Sequence, residues 1–220
     1  MEEIKSGKFQ TVCRFDKDDF LNDNEKINNM MLAILSSHET KDENYNAQKA
    51  KDYINELNLD IMTKDYLEVR LYVLWDKNEN VPLSFALFSQ DETRDDWHLE
   101  YISTHNDYRG MGYAESLFLY AAKDIADTEF PYISSVVNEN NDASLHLHEA
   151  ISNYQGIKTF SSKMDDEDEL YDAYDEDDED YDGFDDYDVE ESYSNRISFL
   201  FDVKDLRKQE KLESVDDIVM

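Results

Sequence analysis

Two short segments carry residue types whose spacing could do chemistry. Tyr108-Arg109-Gly110-Met111-Gly112-Tyr113-Ala114 sets two glycines one residue apart, just ahead of an apolar stripe with helical spacing: Ala114, Leu117, Phe118, Ala121 and Ile125. Glycine lets the backbone curl so that N–H groups converge, and a helix starting there adds its positive end. The segment therefore reads as a cradle for an anion such as a phosphate. No Gly-Lys-Ser/Thr follows, so it is not a Walker loop, and the glycines lack the spacing of a dinucleotide fingerprint. Further on, Asn141-Asp-Ala-Ser144-Leu-His-Leu147-His148-Glu149 opens a second helix after another strand. Its histidines, His146 and His148, would be ordinary helix surface if the segment stood alone. Two other features carry less. Cys13 sits on a strand, away from both segments, and reads as a small core residue. Asp178-x-Asp180-x-Asp182-Gly183 opens like a calcium loop but has Val189 where the twelfth ligand belongs, so no metal site is expected.

The elements that must hold these segments follow from periodicity. Lys8 to Phe15 reads as a strand and Asn22 to Ser37 as a helix capped by Asp23 or Asn24, with Ile27, Met30, Met31, Ile34 and Leu35 on one face. A second helix carries Ala47, Ala50, Tyr53, Ile54 and Leu57. Leu67 to Trp75 and Val81 to Leu87 alternate about the turn Asp76–Asn80 and form a hairpin. Trp97 to Thr104 is a strand leading into the glycine segment and its helix. Then come a strand (Tyr132 to Val137), a helix (Ala143 to Tyr154, with Gly156 as its cap), two strands (Ile157 to Ser162, Ile197 to Val203) and a closing helix (Leu206 to Val219). The order is mixed α/β, without repeats.

The two segments together resemble the GNAT acetyltransferase superfamily. Arg109-x-x-Gly112-x-Ala114 matches its Arg/Gln-x-x-Gly-x-Gly/Ala signature, and Asn141-x-x-Ser144-x-x-Leu147-His148 matches its Asn-x-x-Ala/Ser-x-x-Leu-Tyr/His element, in the right order and about thirty residues apart. The resemblance implies a mostly antiparallel, twisted central sheet flanked by helices and splayed open near the glycines, with acetyl-CoA as cosubstrate in the splay. It implies that backbone amides of Gly110, Met111, Gly112, Tyr113 and Ala114, with Arg109 beside them, hold the diphosphate. Ile102 and Thr104 would pair their backbone with the pantetheine arm, Asn141 and Ser144 would adjoin that arm, and His148 would face the sulfur as the acid that protonates the leaving thiolate. Glu100, in phase with Ile102 and Thr104, would be the carboxylate relaying the amine proton. Glu115, directly after the cradle, adds a charge the diphosphate would have to tolerate. The His in place of the commoner Tyr resembles the branch acylating amino acids and herbicides, which points to a small amine.

Length, 220 residues with 40% apolar, suits one domain: a core over 1–163, an acidic insertion over 164–194, and the last strand and helix over 195–220. The net charge is -33, and Asp165 to Glu191 alone holds 18 of the 54 acidic residues and no Lys or Arg. So much like charge with so few apolar groups predicts a disordered loop between the last two strands. The same charge argues against nucleic acid as a partner. One cysteine excludes an internal disulfide or a cysteine-built zinc site and suits a cytoplasmic setting. No apolar run has the length of a membrane span, and the amino end does not look like a signal peptide. The expected function is an N-acetyltransferase acting on a primary amine, small or cationic, by direct attack in a ternary complex. The alternative is an interaction protein on the same scaffold, whose acidic loop binds a basic partner or mimics nucleic acid. The oligomeric state stays open, a homodimer among the options.

Overall fold

The structure is a computed structural model and describes residues 2–6, 10–38, 43–63, 66–78, 80–164 and 195–208. The chain runs β1 (Glu2–Ser6), β2 (Gln10–Asp16), α1 (Lys17–Asn22), α2 (Asn24–Leu35), α3 (Glu43–Thr63), β3 (Tyr66–Asp76), β4 (Val81–Asp91), β5 (Trp97–Thr104), α4 (Tyr113–Ala126), β6 (Tyr132–Asn138), α5 (Asp142–Ser152), β7 (Lys158–Lys163) and β8 (Arg196–Asp202). Eight strands form one sheet in the order β1-β2-β3-β4-β5-β6-β8-β7, antiparallel except where β5 meets β6. This is the mixed, mostly antiparallel architecture the sequence implied.

Alternation along the strands feeds two apolar layers. On one face Phe85, Leu87, Val69 and Leu71 pack against Ile27, Met31 and Ile34 of α2 and Ile54 and Leu57 of α3. On the other, Trp97, Leu99, Phe88, Ile133 and Phe201 pack against Leu117, Phe118, Ala121 and Ile125 of α4 and Ile151 of α5. Of the stripes read from sequence, all five residues on α2, Ala50, Ile54 and Leu57 on α3, Leu117, Phe118, Ala121 and Ile125 on α4 and Ile151 on α5 are buried, while Tyr53, Ala114, Leu147 and Ala150 are half-buried.

Several local details differ from expectation. The helix expected from Asn22 to Ser37 is α2, with Asp23 as its N-cap as expected; a short helix that the sequence did not suggest, α1, precedes it, started by a capping box of Asp16 and Asp19 and ended at Asp23, whose φ of -133° and ψ of 35° leave the helical range. Strand β1, too polar to read as one, pairs with β2 at the sheet edge. Asn153, not Gly156, caps α5; Gly156, with φ of 97°, serves the following turn. Of the expected closing helix, Lys204–Lys208 is a 3-10 turn anchored by buried Leu206, and the rest lies outside the described residues. The acidic insertion lies outside them too, apart from its roots: Met164 N donates to Arg196 O at 3.0 Å, and Glu139 N donates to Asn195 O at 2.7 Å. Among the described residues no helix is long and apolar enough to cross a membrane.

Candidate active site

Strands β5 and β6 pair only at Trp97↔Ile133 and His98↔Ser134. Beyond that point β6 stays paired to β8 through Asn138, while β5 stays paired to β4 through Thr104, so the sheet splits and one edge of β5 is left without a strand. A cavity of about 650 Å³ opens along the split. Its walls are Tyr101, Ile102, Ser103 and Thr104 of β5, the glycine segment with the first turn of α4, and Asn141, Ser144, His146 and Leu147 around the start of α5.

The glycine segment is built as a cradle. Gly110 (φ 76°) and Gly112 (φ 74°) both take left-handed backbone that an L side chain adopts only with strain, and Gly112 is the N-cap of α4. Ser116 N donates to Gly112 O at 2.9 Å and begins the helical ladder, whereas the amides of 110–115 find no acceptor among the described residues. A Cβ at Gly110 would meet nothing within 4 Å, so that glycine is required by its φ and not by crowding. The far end of α4 is clamped: Asp124 accepts from Arg14 Nη1 at 2.9 Å, Arg70 Nη1 at 3.1 Å and Tyr72 Oη at 2.7 Å. The Arg70 guanidinium also lies 4.5 Å over the Trp97 ring. Burial, first, and Asp124, second, push the Tyr72 phenol well above its usual range, so it stays a donor.

Most of the sequence-predicted residues come together here. Ile102, Thr104, Arg109, Gly110, Gly112, Tyr113, Ala114, Asn141 and Ser144 all line the cavity; Met111, 46% exposed, does not. Asn141 caps α5 by accepting from Ser144 N at 3.1 Å, which fixes its Oδ1. Glu115 also lines the cavity.

The placement of His148 corrects an expectation. It is 1% exposed and absent from the cavity wall. Its Nδ1 lies 2.8 Å from Ser144 O, a pure acceptor, so Nδ1 carries the hydrogen and Nε2 accepts from Ser135 Oγ at 2.6 Å. The ring lies 4.7 Å from Phe199 and 5.7 Å from Phe201, and burial lowers its pKa below the usual histidine value. With both nitrogens engaged in the core, it joins α5 to β6 and does not face the cavity.

Glu100 is corrected in a different way. The β4–β5 register passes from Leu87↔Tyr101 to Phe88↔Leu99, so Glu100 is the extra residue of a β-bulge. The bulge reverses the phase. Ile102 packs with the α4 core, while Tyr101 packs with the α2/α3 core and Glu100 accepts from Ser89 Oγ. Glu100 therefore leaves the face it was expected to share with Ile102 and Thr104 and is not in the cavity wall.

His38 went unnoticed in the sequence, where one histidine after a helix gives no signal. It lines the cavity, with Nε2 3.2 Å from Thr104 O and 3.0 Å from Ser103 Oγ, while its Nδ1 accepts from Arg109 Nη2 at 3.1 Å. Burial, first, and the Arg109 charge, second, lower its pKa. Beside it Ser37 Oγ accepts from Asn106 N at 2.8 Å. The end of α2 thus docks on the loop that becomes the cradle, and the Thr104 carbonyl already has a partner.

The Acetyltransferase (GNAT) family model matches residues 33–154, more than half of the chain and the whole of this cavity wall. The chain belongs to this family. GNAT structures similar to it include a spermidine N-acetyltransferase SpeG chimera from Vibrio cholerae and hSSAT, with 12% identity, a TM-score of 0.49, and coverage of 90% of this chain and 96% of that one. The RimL ribosomal L7/L12 alpha-N-protein acetyltransferase in complex with coenzyme A has 10% identity, a TM-score of 0.49, and coverage of 93% and 99%. The spermidine N-acetyltransferase from Vibrio cholerae in complex with CoA and spermine has 15% identity, a TM-score of 0.45, and coverage of 91% and 99%. No curated protein sequence matches the chain.

Proposed function

We propose that this GNAT chain transfers the acetyl group of acetyl-CoA to a primary amine, small or cationic, by direct attack in a ternary complex. One observation carries the reading: a split sheet edge and a run of amides without acceptors, at 110–115, open into the same cavity. Convergent N–H groups at a helix N-terminus fit a diphosphate, and an open strand edge fits the amide-bearing arm behind it. Acetyl-CoA supplies an activated thioester. The chain's residues orient it: Gly110 and Gly112 supply the left-handed backbone that turns the cradle's amides inward, Arg109 is held at the rim by His38, and Ile102 with Leu147 lines the inner wall.

The cationic preference rests on charge. The 18 carboxylates of 165–191 leave and re-enter the fold at Met164 and Asn195, and Asn195 is bonded to Glu139, two residues from Asn141 of the cavity wall. A field of that sign raises the local concentration of a cationic amine. An interaction protein in which the acidic segment binds a basic partner has the charge in its favour but leaves the cradle unused. The test is thermal melting and calorimetry with acetyl-CoA, followed by a screen of spermidine, an aminoglycoside, a lysine-rich peptide and a neutral amine for free-thiol release. Failure to bind millimolar acetyl-CoA would refute the proposal.

A further inference from the structure

In a chain with 54 acidic residues against 21 basic ones, an arginine at a cavity rim is expected to meet a carboxylate. Among the described residues Arg109 meets none; the side chain that receives its Nη2 hydrogen is the half-buried imidazole of His38, at 3.1 Å. The two ends of that ring fix its tautomer. Arginine only donates, so Nδ1 accepts; the Thr104 carbonyl only accepts, so Nε2, 3.2 Å away, carries the hydrogen, with Ser103 Oγ sharing it at 3.0 Å. The Thr104 carbonyl is an edge group. His105 N donates to Leu83 O and Ser103 pairs with Phe85 in the same register, so Ile102 and Thr104 turn their backbone N–H and C=O away from β4, toward the split. One neutral ring just past α2 therefore joins the open strand edge to the residue that begins the cradle.

Resting on the acetyltransferase reading above, we propose that His38 is a positioning residue for acetyl-CoA, holding the Arg109 guanidinium at the cradle without neutralising it. A carboxylate in its place would hold Arg109 equally well but would cancel its charge and repel an arriving diphosphate. The lone pair of a neutral imidazole takes one Nη2 hydrogen and leaves the full charge and the remaining N–H donors of the guanidinium for the ligand. The amides of 110–115, which find no acceptor among the described residues, open into the same cavity as Arg109. A long side chain ordered in advance also spares the ligand the cost of ordering it. The groups around His38 favour the neutral ring: burial, first, then the Arg109 charge and that of His105 lower its pKa, against the bond to Thr104 O, and Tyr101 in the same wall feels the Arg109 charge as well. Protonation would place a hydrogen on Nδ1 and break the contact with Arg109.

The test begins without ligand. In a two-dimensional 15N spectrum of the full chain, His38 is expected as the neutral Nε2–H tautomer under mildly alkaline conditions, and in Arg109→Ala its titration should move to higher pH because the neighbouring positive charge is gone. An Nδ1–H tautomer, or a titration that Arg109→Ala leaves in place, overturns the proposal. Calorimetry then gives the acetyl-CoA affinity of wild type, His38→Gln, His38→Leu, Arg109→Ala and the double variant His38→Leu with Arg109→Ala, with melting temperatures alongside. Gln offers one acceptor and one donor, as the imidazole does, and should bind within about threefold of wild type, whereas Leu should weaken binding about tenfold, the scale of one hydrogen bond to a charged group. In the Arg109→Ala background the Leu change should add nothing, because the ring acts through Arg109. Leu binding as tightly as wild type, Gln binding as weakly as Leu, or full additivity in the double variant refutes the assignment. A wild type that binds no acetyl-CoA refutes the underlying acetyltransferase reading as well.

Discussion

Replacing His148 separates a core role from a catalytic one. The ring is 1% exposed, packs 4.7 Å from Phe199 and satisfies both Ser135 Oγ and Ser144 O. In His148→Ala a ring-sized void appears, for which aromatic-to-alanine changes in cores cost about 3–5 kcal/mol, and the buried Ser135 hydroxyl loses its partner, a penalty of about 1–3 kcal/mol that overlaps the first. Taking about 4 kcal/mol, at roughly 2–4 °C per kcal/mol for a chain of this size, the melting temperature should fall by about 8–16 °C. His148→Phe keeps the ring contacts and loses only the two hydrogen bonds, so a loss of about 1–3 kcal/mol is expected. The assay is thermal melting followed by circular dichroism, with kcat measured at 15 °C where both variants are folded. Melting should drop in the order wild type, Phe, Ala, with kcat within about threefold of wild type. A 10²-fold fall in kcat in both variants with melting unmoved would show that the ring works as an acid and that its burial is misleading.

Asp124→Asn removes the shared anion from Arg14, Arg70 and Tyr72. Because these side chains are 13–21% exposed at the ion pairs, the loss should fall between that of a surface and a buried pair, about 2 kcal/mol or roughly 4–8 °C in melting temperature, and an unchanged Tm would deny the clamp a role. The pKa of His148 is lowered on folding, so the unfolded chain binds its proton more readily. Its stabilisation is therefore present above about 6.5 and lost as pH falls toward the folded value; His38 and His98 act with the same sign. Urea unfolding should show the gap between wild type and His148→Phe narrowing from pH 7.5 to pH 5.5, and a constant gap contradicts the assignment. Deleting residues 165–191 should tighten acetyl-CoA binding and lower kcat/KM for spermidine at low salt, both effects fading as salt screens the charge over a Debye length of about 8 Å at physiological strength. Equal salt dependence in the full and shortened chains would remove the segment from substrate choice.

The parts of the fold that sequence made legible are those set by periodicity. The stripes Ile27-Met31-Ile34 and Leu117-Phe118-Ala121-Ile125 bury as read, because one helical face must be apolar whatever it packs on. The cradle was legible because Gly110 and Gly112 are demanded by backbone geometry, which leaves a mark in residue type. Glu100 was misplaced because a bulge inserts one residue into the two-residue alternation without altering composition. His148 was misread because the segment around it fixes which helix carries it but not whether the ring turns to the cavity or to Phe199. His38 depends on how α2 docks against the β5–α4 loop, a tertiary contact that no local pattern encodes. Strand β1 carries Glu2, Glu3 and Lys5, charged residues typical of edge strands and easily taken for loop.

The most direct measurement is calorimetric titration of acetyl-CoA into wild type and Gly112→Val, with melting temperatures recorded alongside. At φ of 74° a β-branched side chain is strained, and its Cγ atoms would crowd the amides meant for the diphosphate. Wild type should bind and, at a ligand concentration about 100 times Kd, gain about 2.7 kcal/mol, or roughly 5–11 °C in melting temperature. Gly112→Val should remain folded by circular dichroism and give no binding heat. Wild type without heat or melting shift at millimolar acetyl-CoA, or a variant that binds as tightly as wild type, would contradict the account.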